Sequence, residues 1–180
     1  MLLNILYCIA LWIASPLVIY RSARYGRYRR GVRQKFFGVR ADDFSPSLAD
    51  PITQDAAPVA WFHAVSVGEV NLVAGLIDAF RKSHPDYQVV VSTTTDTGYD
   101  LAKSRFVDLP VFFCPLDFTW AVDQTFLTLR PRLLVLAELE LWPTLIKHAG
   151  KWGCRVAIAN GRLSDKSAKR YLRFSALLSR

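Results

Sequence analysis

Residues 58–83, PVAWFHAVSVGEVNLVAGLIDAFRKS, join a continuous apolar run to a segment with helical periodicity. The run at 58–64 is short and apolar almost throughout, which is typical of a strand buried on both faces of a sheet. After the turn VSVGE, apolar side chains recur at the spacing of one helix face, at Val70, Val73, Ala74, Ile77 and Phe80. The stretch therefore predicts a strand followed by a helix over residues 69–83.

The same alternation continues towards the end of the chain. Further candidate strands lie at 88–93, 110–113, 132–137 and 154–159, and further candidate helices lie at 97–106, 118–129, 141–151 and 165–178. Strands that alternate with helices favour a parallel sheet covered on both faces. The sequence therefore predicts an α/β, Rossmann-like domain over residues 58–180.

The N-terminus has a different composition. Residues 1–20 contain no charged side chain, and about 20 such residues are enough to cross a bilayer. The next 20 residues contain eight cations and no acid, so they account for the whole formal charge of +8. This pattern predicts a membrane-anchor helix at 1–20, then a basic juxtamembrane segment and linker at 21–57, with the domain on the cytoplasmic side.

Three other interpretations of the N-terminus stay open. A signal peptide would have its cations before the apolar run. A buried core helix would explain why Asn4 and Pro16 interrupt that run. An anchor that lies in the membrane interface, and does not span it, has the same composition.

The remaining composition argues against several classes of protein. The 15 cations outside the basic segment are balanced by 15 acids, so a nucleic-acid partner is not expected. The three cysteines form no CxxC pair, and the three histidines show no metal-ligand spacing. We therefore expect neither a metal nor another cofactor.

Polar turns follow each candidate strand. They read VSVGE at 65–69, TTTDTG at 93–98, CPLD at 114–117, ELELWP at 138–143 and NGRLS at 160–164. Parallel sheets bind ligands beyond the carboxyl ends of their strands, and these five turns share that edge. The opposite loops contain ordinary turn residues and charges. The asymmetry predicts a functional cleft at the carboxyl edge.

Three acids in these turns have both a catalytic and a structural interpretation. Glu69 at the start of a helix either complements the helix dipole or serves as a general base, with Gly68 allowing a tight turn and close approach of a ligand. Glu138 and Glu140 are two residues apart and share one face of an extended chain. They either bind substrate or are held by helix donors and Arg162.

The threonine-rich and asparagine-containing turns are also helix starts. They either bind anionic groups through free backbone N–H groups or are simply N-capped by Thr97, Asp117 or Ser164. No GxGxxG, P-loop or GxSxG motif is present to support a dinucleotide-binding, ATPase or hydrolase interpretation.

Five segments in this order resemble the Kdo transferases of lipopolysaccharide biosynthesis. They are HAVSVGE at 63–69, STTTDTGYDLAK at 92–103, FCPLDF at 113–118, AELELWPTLI at 137–146 and NGRLSDKSAKRY at 160–171. The resemblance implies the N-terminal half of a GT-B glycosyltransferase, with an absent C-terminal domain that holds most of the donor. It also implies transfer of Kdo from CMP-Kdo to a lipid A precursor, without a metal, at the cytoplasmic face of the inner membrane.

The resemblance also implies roles for particular residues. Glu69 matches the catalytic base, and Glu140 is the second candidate catalytic acid. The expected substrate-binding residues are Ser66, Gly68, Thr95, Thr97, Gly98, Glu138, Asn160, Arg162 and Ser164. The chain departs from the family's pattern at Leu139, Thr144 and Gly161. A fragment without the donor domain is expected to be inactive alone.

Two alternative functions stay open. One is a different membrane-associated nucleotide-sugar transferase, which donor preference would distinguish. The other is a non-catalytic, membrane-tethered binding module.

Overall fold

The computed structural model describes residues 2–25, 29–44, 57–138 and 142–161. The strands are β1 (Val59–His63), β2 (Gln88–Thr93), β3 (Val111–Phe113), β4 (Pro131–Leu136) and β5 (Arg155–Ile158). The helices are α1 (Leu2–Tyr25), α2 (Val32–Phe37), α3 (Val67–Ser83), α4 (Asp96–Arg105), α5 (Thr119–Leu129) and α6 (Pro143–Lys151). The five predicted strands and four of the five predicted helices are confirmed to within two residues. The predicted helix at 165–178 lies outside the described residues.

The five strands form one parallel sheet in the order β3-β2-β1-β4-β5. The chain first moves outward from β1 to β2 and β3, and then returns to place β4 on the other side of β1. The strand order therefore reverses between β1 and β4. In sheets of this kind the reversal opens a crevice at the carboxyl edge, where ligands bind.

Successive side chains of a strand point to opposite faces, and both faces of the sheet are covered at β1 and β2, whereas all four residues of β5 are exposed. On one face Ala60 and Phe62 pack against α3 and α4, and on the other Trp61 packs against Phe112 and Phe126. Every residue of β1 is buried, which agrees with the continuous apolar run that predicted it. The predicted α/β sheet with helices on both faces is confirmed.

The apolar stripe predicted for the first helix of the domain is its buried face. Its buried side chains are Val70, Val73, Ala74 and Ile77, and Phe80 is partly buried against them. Burying a side chain such as Ile77 contributes roughly 1.5–3 kcal/mol. The stripe therefore fixes which side of α3 faces the sheet, and it fixes the direction in which the first turn of the helix points.

The apolar N-terminus forms α1, a helix of 24 residues with Pro16 inside it. Its large apolar side chains with about half or more of their surface exposed are Ile5, Ile9, Trp12, Ile13, Leu17, Ile19 and Tyr20. The buried-core interpretation of this segment is therefore wrong. Within the described ranges, no helix combines the length and the apolar character needed to span a bilayer. The transmembrane helix expected at 1–20 is thus not found.

Part of the basic segment contacts the domain closely. Gln34 Oε1 accepts a hydrogen bond of 2.9 Å from the backbone N–H of Phe113, and Lys35 Nζ lies 4.3 Å from the centre of the Phe113 ring. Burial lowers the pKa of Lys35. Thr128 donates a 2.9 Å hydrogen bond to the carbonyl of Val39. The division of the chain at residue 57 stays a prediction, but residues 29–44 pack on β3 and α5.

Candidate functional site

The parallel sheet brings the carboxyl ends of all its strands to one edge. The turns after β1 and β4 are neighbours there. His63 at the end of β1 pairs with Leu136 at the end of β4, and the backbone N–H of Ala137 donates to the carbonyl of His63 at 2.9 Å. Glu69 follows β1 and Glu138 follows β4, so the two acids flank the crevice where strand order reverses. This is the edge that the polar turns predicted.

Glu69 is held in the first turn of α3 by two hydrogen bonds. Its Oε2 accepts the backbone N–H of Val65 at 2.8 Å, and its Oε1 accepts the hydroxyl of Ser66 at 2.9 Å. The side chain is partly exposed. An ionised carboxylate offers about four lone-pair positions, so two bonds leave acceptor capacity for a ligand. The carboxylate is thus both oriented and accessible.

Ser66 occupies the N-cap position of α3 but does not cap it. Its hydroxyl donates to Glu69, and it accepts no backbone hydrogen bond from the first turn. A serine at this position usually accepts the N–H of the second or third helical residue. The first backbone N–H groups of α3 therefore lack a cap from Ser66, and a helix start of this kind suits an anionic group.

Gly68 lies at the same turn with open space in front of it. A Cβ built there would meet only Ser66 Oγ, at 3.9 Å, and the backbone of Gly68 does not have a positive φ. The expected tight turn is therefore not the reason for this glycine. Neither the chain's conformation nor its packing demands a glycine there, and close approach of a ligand stays a prediction.

The turn after β2 is hydrogen-bonded to the turn after β1. Thr95 Oγ1 donates to the carbonyl of Val65 at 3.0 Å and accepts the backbone N–H of Gly98 at 3.1 Å. A Cβ on Gly98 would lie 2.8 Å from Thr95 Oγ1 and 3.3 Å from the Val65 carbonyl oxygen. Gly98 is thus required by packing. Thr95, and not Thr97 as one interpretation had it, is the N-cap of α4. Thr97 is exposed.

The other predicted site residues are only partly described. Glu138 is exposed directly after β4, and Asn160 is exposed two residues after β5 with a φ of 58°. Asparagine tolerates this left-handed conformation better than most residues do. Glu140, Arg162 and Ser164 lie outside the described residues.

Asp117 has a role that the sequence did not predict. The N-cap of α5 is Phe118, so the proposed capping by Asp117 of its own helix is wrong. Its buried carboxylate instead accepts the backbone N–H groups of Thr144 at 2.9 Å and Leu145 at 2.8 Å, in the first turn of α6, and the hydroxyl of Tyr7 at 2.7 Å. A contact between residues so far apart in sequence leaves no local pattern by which to find it.

His63 is buried at the end of β1, beneath the same edge. Ser92 Oγ accepts the indole N–H of Trp61 at 2.7 Å and lies 2.8 Å from His63 Nδ1. Nε2 has no hydrogen-bond partner among the described residues. Burial lowers the pKa of His63 from 6.5 to about 4, so the ring is neutral near pH 7.

The opposite edge of the sheet contains a cavity of about 760 Å³ at the starts of β4 and β5. Arg130, Arg132 and Arg155 line it together with Trp152, and none of the predicted site residues does. Arg130 follows the last turn of α5, where a cation complements the helix dipole. The cavity is separate from the candidate site.

In the part of the chain that the structure describes, no three His, Cys, Asp or Glu side chains are grouped so as to hold a metal ion. Cys114 and Cys154 are buried cysteines outside any disulfide, whereas Cys8 is exposed.

Comparison with known proteins shows a family for this chain. Residues 22–180 match the family described as 3-deoxy-D-manno-octulosonic-acid transferase, or Kdo transferase. The 3-deoxy-D-manno-octulosonic acid transferase of Chlamydia pneumoniae is 31% identical over 169 residues, which cover 93% of this chain and 36% of the relative. The enzyme of the same name from Haemophilus influenzae is 29% identical over 177 residues, which cover 96% of this chain and 39% of the relative.

A third relative has a different name. It is the bifunctional glycosyltransferase/methyltransferase of Fusobacterium nucleatum, 37% identical over 121 residues, which cover 66% of this chain and 19% of the relative. The chain thus spans little more than a third of the Chlamydia and Haemophilus relatives. Because the family match extends over nearly the whole chain, the chain belongs to the Kdo transferase family.

Proposed function

We propose that this chain is the acceptor-side domain of a glycosyltransferase that moves Kdo from CMP-Kdo to a lipid A precursor. Family membership supports the sugar and the reaction class. The observation that carries the assignment of the site is the position of Glu69, an oriented and partly exposed carboxylate next to the crevice between β1 and β4.

In the proposed reaction Glu69 is the general base. A sugar hydroxyl of the acceptor attacks the anomeric carbon of Kdo, and its proton passes to the Glu69 carboxylate. The bond from that carbon to the phosphate oxygen of CMP breaks, and CMP leaves with the electron pair. Attack opposite the leaving group inverts the configuration. The bonds from Val65 and Ser66 hold the carboxylate in place, so little reorganisation precedes proton transfer.

The surrounding turns supply the proposed contacts to substrate. Gly68 leaves room for a ligand to approach the start of α3, whose backbone N–H groups favour a phosphate of the acceptor. Glu138, on the other side of the crevice, is suited to accept hydrogen bonds from sugar hydroxyls, and Glu140 is the second candidate catalytic acid. Thr95, Thr97, Gly98, Asn160, Arg162 and Ser164 complete the proposed binding set.

We propose that α1 associates with the membrane interface at the cytoplasmic face of the inner membrane. Seven large apolar side chains of α1 are exposed, and a patch of that kind marks a surface for lipid or protein. The cations that follow at 21–40 favour an anionic lipid surface. An interfacial position requires no spanning helix and would keep the candidate site near its lipid acceptor.

We also propose a GT-B enzyme in which a second domain binds most of CMP-Kdo. The length of the relatives supports it, because this chain spans 36–39% of the Chlamydia and Haemophilus enzymes. The coding sequence downstream of codon 180 tests it. An open frame with a second set of alternating strands and helices is expected, and a stop codon there would refute it.

The test of the catalytic proposal is Glu69→Gln in the enzyme that contains the donor domain. Loss of a general base is expected to lower turnover by about 100- to 10,000-fold. Asp78→Asn, on the exposed face of the same helix, is the matched control and should keep normal turnover. Turnover by Glu69→Gln equal to that of the control would refute the base role. Faster transfer from UDP- or GDP-sugars than from CMP-Kdo would refute the donor.

A further inference from the structure

Asp117, in the turn after β3, is hydrogen-bonded through one buried carboxylate to helix α1 and to the start of α6. Its side chain lies between the start of α6 and helix α1, and only 3% of the residue's surface is exposed. Oδ1 accepts the backbone N–H of Leu145, and Oδ2 accepts both the backbone N–H of Thr144 and the hydroxyl of Tyr7. All three bonds are 2.9 Å or shorter.

Helix α6 has no cap of its own. Trp142 occupies the N-cap position and offers no side-chain acceptor, and Pro143 at the first helical position has no N–H. The next two residues, Thr144 and Leu145, therefore present the first free donors of the helix, and Asp117 accepts both. A carboxylate at this end also complements the helix dipole. The start of α6 is thus fixed by a residue 27 positions earlier in the chain.

The start of α6 is also the end of the turn that follows β4. Glu138 begins this turn, Glu140 lies within it, and Trp142 ends it. One end of the turn is held by β4 and the other by Asp117. Asp117 thus fixes the position of the helix that follows Glu138 in the chain.

Helix α1 contacts Asp117 and the start of α5 through two polar side chains. Tyr7 donates to Asp117, and one turn earlier Asn4 exchanges two hydrogen bonds with Thr119, of 2.7 Å and 3.2 Å. The ring of Tyr7 packs edge-on against Phe118 with centroids 6.0 Å apart. Asn4 and Tyr7 lie three residues apart and share one helix face. Asn4 and Tyr7 are therefore docking contacts of α1, whereas the Ser15 hydroxyl donates to the carbonyl of Trp12 within the helix.

We propose that Asp117 is a positioning residue, which fixes the start of α6, the next described element after Glu138, and couples it to the docking of α1 through Tyr7. This inference rests on the proposed function for what the acids do, but not for the coupling itself. Hydrogen bonds to a charged group in a buried site are strong. Removing the Asp117 carboxylate therefore frees both the start of α6 and Tyr7 of α1.

The first test measures amide hydrogen exchange in the chain without any substrate. In Asp117→Asn, exchange of the backbone N–H groups of residues 144–146 is expected to rise by about 10- to 100-fold, because bonds to the charged acceptor are weakened or lost. Exchange in the first turns of α1 is expected to rise in the same variant. Tyr7→Phe keeps the ring and removes only the hydroxyl, and it should raise exchange at both places by a smaller factor.

The matched control is Asp123→Asn. Asp123 lies 3.5 Å from His148 and from Lys151, so it contacts the other end of α6. Exchange of the backbone N–H groups of residues 144–146 should stay at the wild-type rate in this variant. If Asp117→Asn does not fold, the exchange rates of Tyr7→Phe decide the test. A uniform rise over the whole domain, or no difference from Asp123→Asn, would overturn the proposal.

The second test separates positioning from a general loss of folded protein. In the enzyme with its donor domain, Asp117→Asn is expected to raise KM for the acceptor by about 10-fold, the effect of a lost hydrogen bond, and to leave KM for the donor unchanged. Partial unfolding lowers the apparent kcat and moves neither KM. An unchanged acceptor KM would refute the positioning role. The exchange result stands or falls independently of Glu69→Gln, so failure of the proposed function is distinguishable.

Discussion

Lowering the pH from 7 to 4 is expected to destabilise the domain through His63. The imidazole is buried and its pKa is lowered from 6.5 to about 4, so the folded state resists protonation while the unfolded chain accepts a proton. Between these two values the unfolded state binds more protons, and the free energy of unfolding falls as the pH falls. The shift corresponds to a loss of about 2 kcal/mol by pH 5 and about 3 kcal/mol by pH 4.

The measurement is urea unfolding of the wild type and of His63→Gln at several pH values. The variant removes the titrating group, so its unfolding free energy should fall less steeply between pH 6.5 and 4. Its absolute stability at pH 7 is expected to be lower, because Ser92 loses its imidazole partner, but the slope is the quantity of interest. His84→Gln, at an exposed position, is the control and should retain the wild-type slope. Equal slopes for the wild type and His63→Gln would refute the argument.

Three further outcomes test the site and the N-terminal helix. Gly98→Ala should lower the unfolding free energy by about 1–3 kcal/mol by overpacking against Thr95 and the Val65 carbonyl, whereas Gly75→Ala, with no atom within 4 Å, should not lower it. Gly68→Ala should leave thermal unfolding unchanged and weaken binding of a lipid A precursor in a calorimetric titration; unchanged binding would contradict close approach there. Trp12→Ser should reduce co-sedimentation with vesicles of phosphatidylglycerol without changing stability, because Trp12 is 78% exposed, and undiminished sedimentation would count against an interfacial α1.

The sequence was sufficient to predict the strands of the sheet, because a strand that is buried on both faces has a continuous apolar run in its sequence. The apolar runs VVV at 89–91 and LLVL at 133–136 lie within β2 and β4 of the structure. Parallel pairing then brought the polar turns to one edge with no further information. Even the first turn of α6 was predictable from Trp142-Pro143, because proline is well tolerated at the first helical position.

The contacts within the candidate site were not predictable in the same way. Asp117 follows its own strand, and only the folded chain shows that it caps a different helix and accepts from Tyr7. The choice between Thr95 and Thr97 as the cap of α4 depends on the carbonyl of Val65, which belongs to another junction. Such contacts depend on the relative positions of elements, and those positions carry no sequence periodicity.

The two interpretations of Glu69 make different demands on the turn that contains it. If the turn served only to stabilise α3, the hydroxyl of Ser66 would be best used as an acceptor for a helix N–H group. It instead donates to Glu69, and Glu69 accepts from Val65, which lies before the helix. The Ser66 hydroxyl and the Val65 backbone N–H therefore orient the carboxylate, and the first backbone N–H groups of the helix are left without a cap from Ser66. An arrangement that favours the orientation of an acid over the capping of its helix is better explained by a ligand at Gly68 than by stability alone.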